Sequence, residues 1–366
     1  MTRKRLRDYG LSVGDLPTGP HNTITDVAGV RVGQTTLISG EGPLTPGEGP
    51  VRTGVTVILP HGDNLYQQKT RATVHTINGF GKPCGFEEVR ELGVIESPIA
   101  LTNTLNVWRV ADGLTSYALR QNPQIAIDGP SFNAVVGETN DSYLNDIQGR
   151  HVQPEHVWLA IETAASGPVA EGAVGAGTGT TCFQWKGGIG TSSRIVPKKA
   201  GGFTLGVLVQ TNFGRAADLR ILGAPIGKKL TPPNSAQSPI PDAGSIMIVL
   251  ATDAPLTSRQ LGRVSVRVAA GLARTGSVYN HGSGDFVIAF STAELIQSPA
   301  PALTTTRPVL ANEGKVLSWL FTAVADAVEE AIYNSLFRAE TVTGRDGNTR
   351  HALPVDRVLE ILKGRH

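Results

Sequence analysis

The pair Gly244-Ser245 stands between a Pro-rich stretch, with Pro232, Pro233, Pro239 and Pro241, and the apolar run Ile246-Met-Ile-Val-Leu-Ala251. That composition predicts a loop running straight into a buried strand, with Ser245 as its first residue. A serine so placed can attack the carbonyl before it, because glycine offers no side chain to block the approach. If the peptide bond breaks, Ser245 becomes an N-terminus with a hydroxyl nucleophile and a free α-amine on one residue. An α-amine titrates at about 7.7–8.0, so it serves as a base near neutrality. Gly-Ser before a strand is also ordinary loop punctuation, so the weight of the pair depends on the residues around it.

Acyl transfer needs a nucleophile, a base and donors for an oxyanion. Ser245 supplies the first. Its own amine, or Ser283 relayed by Asp285 in His281-Gly-Ser-Gly-Asp285, supplies the second. Asn212, at the end of the run Phe203–Thr211, and Tyr143, in Gly137-Glu-Thr-Asn-Asp-Ser-Tyr-Leu-Asn-Asp146, are candidates for the third. Each has a plainer role as a turn serine, capping aspartate, loop asparagine or core tyrosine. A Ser-His-Asp triad through His281 lacks the Gly-x-Ser-x-Gly elbow around either serine, so His281 reads as a turn residue or a support. Gly175-Ala-Gly-Thr-Gly resembles a phosphate loop, but the Gly-Lys-Ser/Thr ending and the G-x-G-x-x-G register are absent. These glycines instead allow tight turns and close backbone approach.

The elements that must hold these residues are legible from pattern. Residues 21–38 predict a strand, a turn and a second strand. Thr53–Leu59, Ile99–Leu101, Phe203–Thr211, Ser245–Ala251 and Asp285–Phe290 predict strands. Residues 84–92, Val107–Arg120, Thr257–Gly276, Glu313–Phe337 and Pro354–Lys363 predict helices, whereas Pro154–Ala165 fits either type. The least structured composition, 228–244, is the linker. The mixture predicts a layered α/β protein with sheets between helices.

With 366 residues, 17% charged and a net charge of +2, the chain is neither disordered nor basic enough for nucleic acid. Its basic N-terminus leads into no apolar core and no run reaches membrane-spanning length, which predicts a cytoplasmic protein. Cys84 and Cys182 lie in no metal-ligand spacing and read as free thiols. Without a His/Cys/Asp cluster, no metal or other cofactor is expected.

The motifs together resemble one family over nearly the whole length. They are Asn22-Thr-Ile-Thr-Asp-Val-Ala-Gly-Val-Arg-Val-Gly33, Val136–Asp146, Gly175–Thr180, Lys186-Gly-Gly-Ile-Gly-Thr191, Gln210-Thr-Asn-Phe-Gly214, Gly244-Ser245 and His281–Gly284. The chain is similar to the DmpA/BapA family of L-aminopeptidase/D-Ala-esterase-amidases and β-peptidyl aminopeptidases. The resemblance implies an αββα four-layer sandwich related to N-terminal-nucleophile hydrolases. It implies self-cleavage between Gly244 and Ser245 into an α chain (1–244) and a β chain (245–366) that stay associated as one compact domain, in a homotetramer or larger homo-oligomer. It matches Ser245 to the nucleophile, Ser283 to the second catalytic serine, and Tyr143 and Asn212 to the oxyanion side. Asp285 stands where the family usually has glutamate, one methylene longer. Glu138 is the candidate for holding the substrate's cationic amine. The expected substrates are short peptides, amides or esters with small N-terminal residues, β-alanine included. Two other readings remain: an acyltransferase with the same acyl-enzyme, and an uncleaved small-molecule-binding protein.

Overall fold

A computed structural model describes residues 3–233 and 243–364. Before the first glycine-rich loops the chain forms β1 (Arg31–Ser39), β2 (Val51–Leu59), β3 (Gln68–Gly79), α1 (Phe86–Leu92), β4 (Val94–Ile95), β5 (Ile99–Asn103), α2 (Val107–Gln121), β6 (Val135–Thr139) and α3 (Pro154–Glu162). A short hairpin, β7 (Thr181–Cys182) and β8 (Trp185–Lys186), leads into β9 (Ile189–Ile195) and β10 (Thr204–Asn212). The last part holds β11 (Ala243–Thr252), α4 (Ser258–Val266), α5 (Val268–Arg274), β12 (Gly282–Gln297), α6 (Glu313–Arg338), the hairpin β13 (Val342–Thr343) and β14 (Thr349–Arg350), and α7 (Val355–Lys363).

Two main sheets result, ordered β1-β2-β5-β6 and β4-β3-β12-β11-β10-β9. Three apolar clusters show how they stack. Val55, Val57, Ala100 and Val136 of the smaller sheet pack on Val110, Leu114, Val157 and Ala160 of α2 and α3. The other face of that sheet (Ile58, Ile99, Leu101, Val135) meets Leu208, Met247, Val249 and Ile288 of the larger one. The far face of the larger sheet (Val207, Ile246, Ile248, Val287) packs on Leu261, Leu272, Val324 and Val328 of α4, α5 and α6. The layers are therefore α, β, β, α, the sandwich that the family resemblance implies. Close approach depends on glycine at two points. A Cβ on Gly137 would lie 2.4 Å from Met247 Cε across the sheets, and one on Gly190 would lie 2.0 Å from the Ala331 carbonyl of α6.

Several expectations need correction. The predicted first strand near residue 23 is a 3-10 turn at Ile24–Asp26. Asp26 accepts the backbone N–H groups of His21 and Thr23, a local bonding that outcompetes a strand ladder. Thr257–Gly276 is two helices, because the chain tightens at Arg267, whose N–H bonds to Val264. Pro154–Ala165 resolves as α3. Strand β11 begins at Ala243, so Ser245 is its third residue. Parallel pairing of Ala243 and Gly244 with Gly282 and Ser283 extends it. Of the predicted linker, 234–242 lie outside the described residues.

Candidate active site

Side-chain alternation divides the candidate residues between the two faces of the larger sheet. Met247, Val249 and Ala251 point into the space between the sheets, and Ile246, Ile248 and Leu250 point toward the helices. Continued toward the strand's start, Ser245 belongs to the inter-sheet face and Gly244 to the helix face. On β12, Phe286, Ile288 and Phe290 face the other sheet, and Val287 and Ala289 the helices, so Ser283 and Asp285 lie on the helix side.

The strand register brings five candidates together. Ser245 is opposite Asn212 on β10 and beside Gly284 on β12, and Gly244 is beside Ser283. Ser245 is 5% exposed, and its Oγ has no hydrogen-bond partner among the described residues. A hydroxyl rarely tolerates burial unpaired, so this oxygen is held ready for something else. Ser283 Oγ donates to Asp285 Oδ1 at 2.7 Å. Ser283 Oγ also lies 3.4 Å from where a Cβ of Gly244 would be, against the residue that precedes Ser245. Asp285 Oδ2 is buried without a partner among the described residues. Burial pushes the Asp285 carboxyl up to about 6, against the Ser283 hydrogen bond, and Tyr279 feels its charge.

Asn212 is clamped at both ends of its amide. Its Oδ1 accepts the Thr181 N–H at 3.1 Å, and its Nδ2 donates to the Asn140 carbonyl at 2.7 Å. An amide carries two N–H donors, so one remains for the Ser245 side of the strand pair.

Glu138 is on β6 of the facing sheet, 4% exposed. It accepts the Lys82 N–H at 3.0 Å and the Thr104 hydroxyl. A Cβ on Gly81 would lie 3.1 Å from Glu138 Oε1, and one on Gly284 would lie 3.3 Å from Gly81 Cα. The carboxylate thus lies at the edge of the facing sheet, against Gly81, whose backbone closely approaches Gly284 of β12. Tyr143 is placed differently. Its ring lies under the Arg350 guanidinium at 3.7 Å, and Asn348 binds its carbonyl. It makes no hydrogen bond to Ser245 Oγ. His281 is exposed in the turn before β12. Asn78, which carried no motif, donates to the carbonyls of Asn280, His281 and Ser283 and so fixes the loop that presents Ser283. Cys84 and Cys182 are both free. Among the described residues no cluster of His, Cys, Asp and Glu fits a metal ion, and no helix is long and apolar enough to cross a membrane.

Residues 22–350 match the model of peptidase family S58. The chain belongs to that family. It is 43% identical to the β-peptidyl aminopeptidase BapA of Sphingosinicella microcystinivorans, over 98% of this chain and 92% of the relative. Among solved structures, the PH0078 protein of Pyrococcus horikoshii OT3 superposes with a TM-score of 0.92 at 49% identity, covering 99% of each chain. The L-aminopeptidase D-Ala-esterase/amidase of Ochrobactrum anthropi, a prototype serine aminopeptidase with a variant of the Ntn hydrolase fold, gives 0.90 at 36% identity over 98% of each chain. Membership of this peptidase family makes the chain an enzyme that acts on peptides and gives it an Ntn-hydrolase-like fold.

Proposed function

We propose that the chain is a self-cleaving serine aminopeptidase that releases small N-terminal residues, β-alanine and other β-amino acids among them, from short peptides, amides or esters. The observation that carries this reading is the buried, unpartnered Ser245 Oγ, opposite Asn212 and one residue beyond a glycine that abuts the Ser283–Asp285 pair.

In the uncleaved chain Ser245 Oγ attacks the Gly244 carbonyl. The Gly244–Ser245 C–N bond then breaks as the nitrogen takes up the proton lost from Oγ, which leaves Gly244 esterified to Oγ and the Ser245 α-amine free. Water hydrolyses the ester to the Gly244 carboxylate and the Ser245 hydroxyl, which separates 1–244 from 245–366. Ser283 Oγ lies against Gly244, whose peptide carries the Ser245 nitrogen, and makes no hydrogen bond to the Ser245 hydroxyl. The role of Ser283 and Asp285 is therefore to move protons at that nitrogen, first as the leaving amine and then as the free α-amine. The amine in turn takes the proton from Oγ when Ser245 attacks a substrate carbonyl. The spare N–H of Asn212 receives the oxyanion, and Tyr143, whose ring is held under Arg350, is the second candidate donor. Glu138 receives the substrate's ammonium in the space between the sheets. The acyl-enzyme is then hydrolysed.

The test is a denaturing gel with N-terminal sequencing of wild type and Ser245→Ala. Wild type should give two fragments, the smaller beginning Ser-Ile-Met-Ile-Val, and the variant one inactive chain. A variant that still hydrolyses β-alanyl peptides would remove Ser245 from the mechanism. The further reading as a cytoplasmic protein is supported by the two free thiols, which suit a reducing compartment, and assembly as a homotetramer or larger homo-oligomer rests on the family resemblance alone. Light scattering of the purified enzyme checks the assembly.

A further inference from the structure

Lys186 is fully buried and has no part in the chemistry above. Its Nζ donates to the carbonyls of Gly177 at 2.9 Å, Thr180 at 2.8 Å and Gly187 at 2.7 Å. Three acceptors match the three N–H bonds of an ammonium, whereas a neutral amine has only two. The Thr180 carbonyl belongs to the same peptide unit as the Thr181 N–H that donates to Asn212 Oδ1. On the other side, Asn212 Nδ2 donates to the Asn140 carbonyl. The nitrogen of that peptide unit is Asp141's own, so the Asp141 side chain branches from the unit that accepts the Asn212 amide. Asp141 is itself buried, and accepts from Thr53 Oγ1 at 2.6 Å and Asn145 Nδ2 at 3.0 Å.

These contacts form one uninterrupted chain. It runs from the Lys186 ammonium through the Thr180–Thr181 peptide and the Asn212 amide to the Asn140–Asp141 peptide, and Thr53 and Asn145 anchor the Asp141 side chain beside its end. Every dipole in it points the same way, with a cationic group at the donor-giving end and an acidic side chain next to the accepting end. Hydrogen bonds so aligned polarise one another in a low-dielectric interior.

We propose that Lys186 and Asp141 are positioning residues for the reaction: they hold and polarise the Asn212 amide, so that its remaining N–H is fixed and strengthened as the oxyanion donor. This rests on the oxyanion role of Asn212 proposed above. The ionisable groups acting on Lys186 are Cys182 and Asp141. Burial pulls Lys186 down to about 7 and pushes Asp141 up to about 7, against its hydrogen bonds, while the Cys182 thiol, pushed up to about 12, stays neutral. The chain therefore loses its cation as pH rises beyond neutrality and its anion as pH falls below it.

A double-mutant cycle tests the proposal on the full-length protein, with turnover of a β-alanyl amide as readout. Lys186→Met and Asp141→Asn should each lower kcat roughly 5–50-fold with KM little changed, the range of coupling seen within one bonded network. In an Asn212→Ala background both effects should largely vanish. Lys186→Met should also remove the alkaline fall in kcat. If Asn212→Ala lowers kcat but the second substitution still costs its full factor, the proposal is overturned while the oxyanion role stands. If Asn212→Ala leaves kcat unchanged, the oxyanion role itself fails. Should Lys186→Met not fold, because three carbonyls lose their donor, the Asp141→Asn arm, which keeps volume and shape, decides alone: non-additivity with Asn212→Ala supports the proposal and additivity overturns it.

Discussion

Two carboxylates of this protein are almost wholly buried, yet their surroundings push them in opposite directions. Glu330, on α6, accepts from Arg7 at 2.8 and 3.0 Å, Asn22 at 2.6 Å and Arg194 at 2.7 Å. Burial alone would raise its carboxyl, but Arg194 and Arg7 outweigh burial and hold it below the usual range. Asp285 has one side-chain donor, Ser283, and an oxygen with none, and burial pushes it up to about 6. The first carboxylate joins the N-terminal arm, β9 and α6, and its bonds are complete. The second is left incomplete near Ser245, whose Oγ is also unpaired among the described residues. An incompletely bonded acid in a core is unfavourable for folding, which supports the proposal that the reacting centre is at this position.

The comparison is broken most severely by Asp285→Asn. An amide accepts a hydrogen bond from Ser283 but cannot take up a proton, so self-cleavage and turnover should fall by about 10²–10⁴, the usual contribution of a positioned acid or base. Band densitometry of the precursor over time and steady-state rates measure the two effects. Unchanged rates in both would remove Asp285 from the relay. Glu330→Gln should behave in the opposite manner. It leaves the buried Arg194 without its counter-ion, which destabilises by about 3–5 kcal/mol, while kcat per folded molecule is unchanged. Denaturant unfolding and active-site titration separate these. Next in size is Asn212→Ala, with kcat lower by about 10²–10³ and KM little altered, as for loss of one oxyanion donor. A change confined to KM would place Asn212 in substrate binding instead.

Much of this site was legible because strand ends are visible in sequence. The apolar runs of β10 and β11 put Asn212 and Ser245 where pairing sets them opposite one another, and Gly-Ser-Gly before β12 announced Ser283 and Asp285. The long strand β3 was not read, although Thr70, Ala72 and Val74 alternate inward, because Lys69, Arg71 and His75 between them dilute the apolar signal. Its end carries Asn78, which fixes the Ser283 loop from two hundred residues away in the chain, and nothing local reports such a contact. The division of Ser245 and Ser283 between opposite faces required the register of β11 on β12. Lys186 looked like one residue of a glycine-rich motif, and Asp141 like one polar residue among several. Their relation appears only when two loops meet at the Asn212 amide.

The smallest expected effect is also the most direct test of the contrast between the two acids, because linkage gives them opposite signs. Glu330 has a folded pKa below its unfolded value. Its contribution to stability is present above the unfolded value of about 4.3 and is lost as pH falls through the folded one. Asp285 has a folded pKa raised to about 6 from an unfolded value near 3.9. The folded state therefore binds the proton more tightly, and stability is lost as pH rises from about 4 through about 6. Asp285→Asn abolishes that loss. Relative to wild type, the variant should gain roughly 2 kcal/mol between pH 4 and pH 8, a discounted figure for a group beside a mobile hydroxyl. The comparison is best made in a Ser245→Ala background, so that neither chain is cleaved and no α-ammonium forms near the carboxyl. In the same background Glu330→Gln should flatten the fall in stability below about pH 4. If Asp285→Asn shows no gain at high pH, the carboxyl is not held in a protonation-favouring site, and the acid limb of the cleavage reaction must belong to another group.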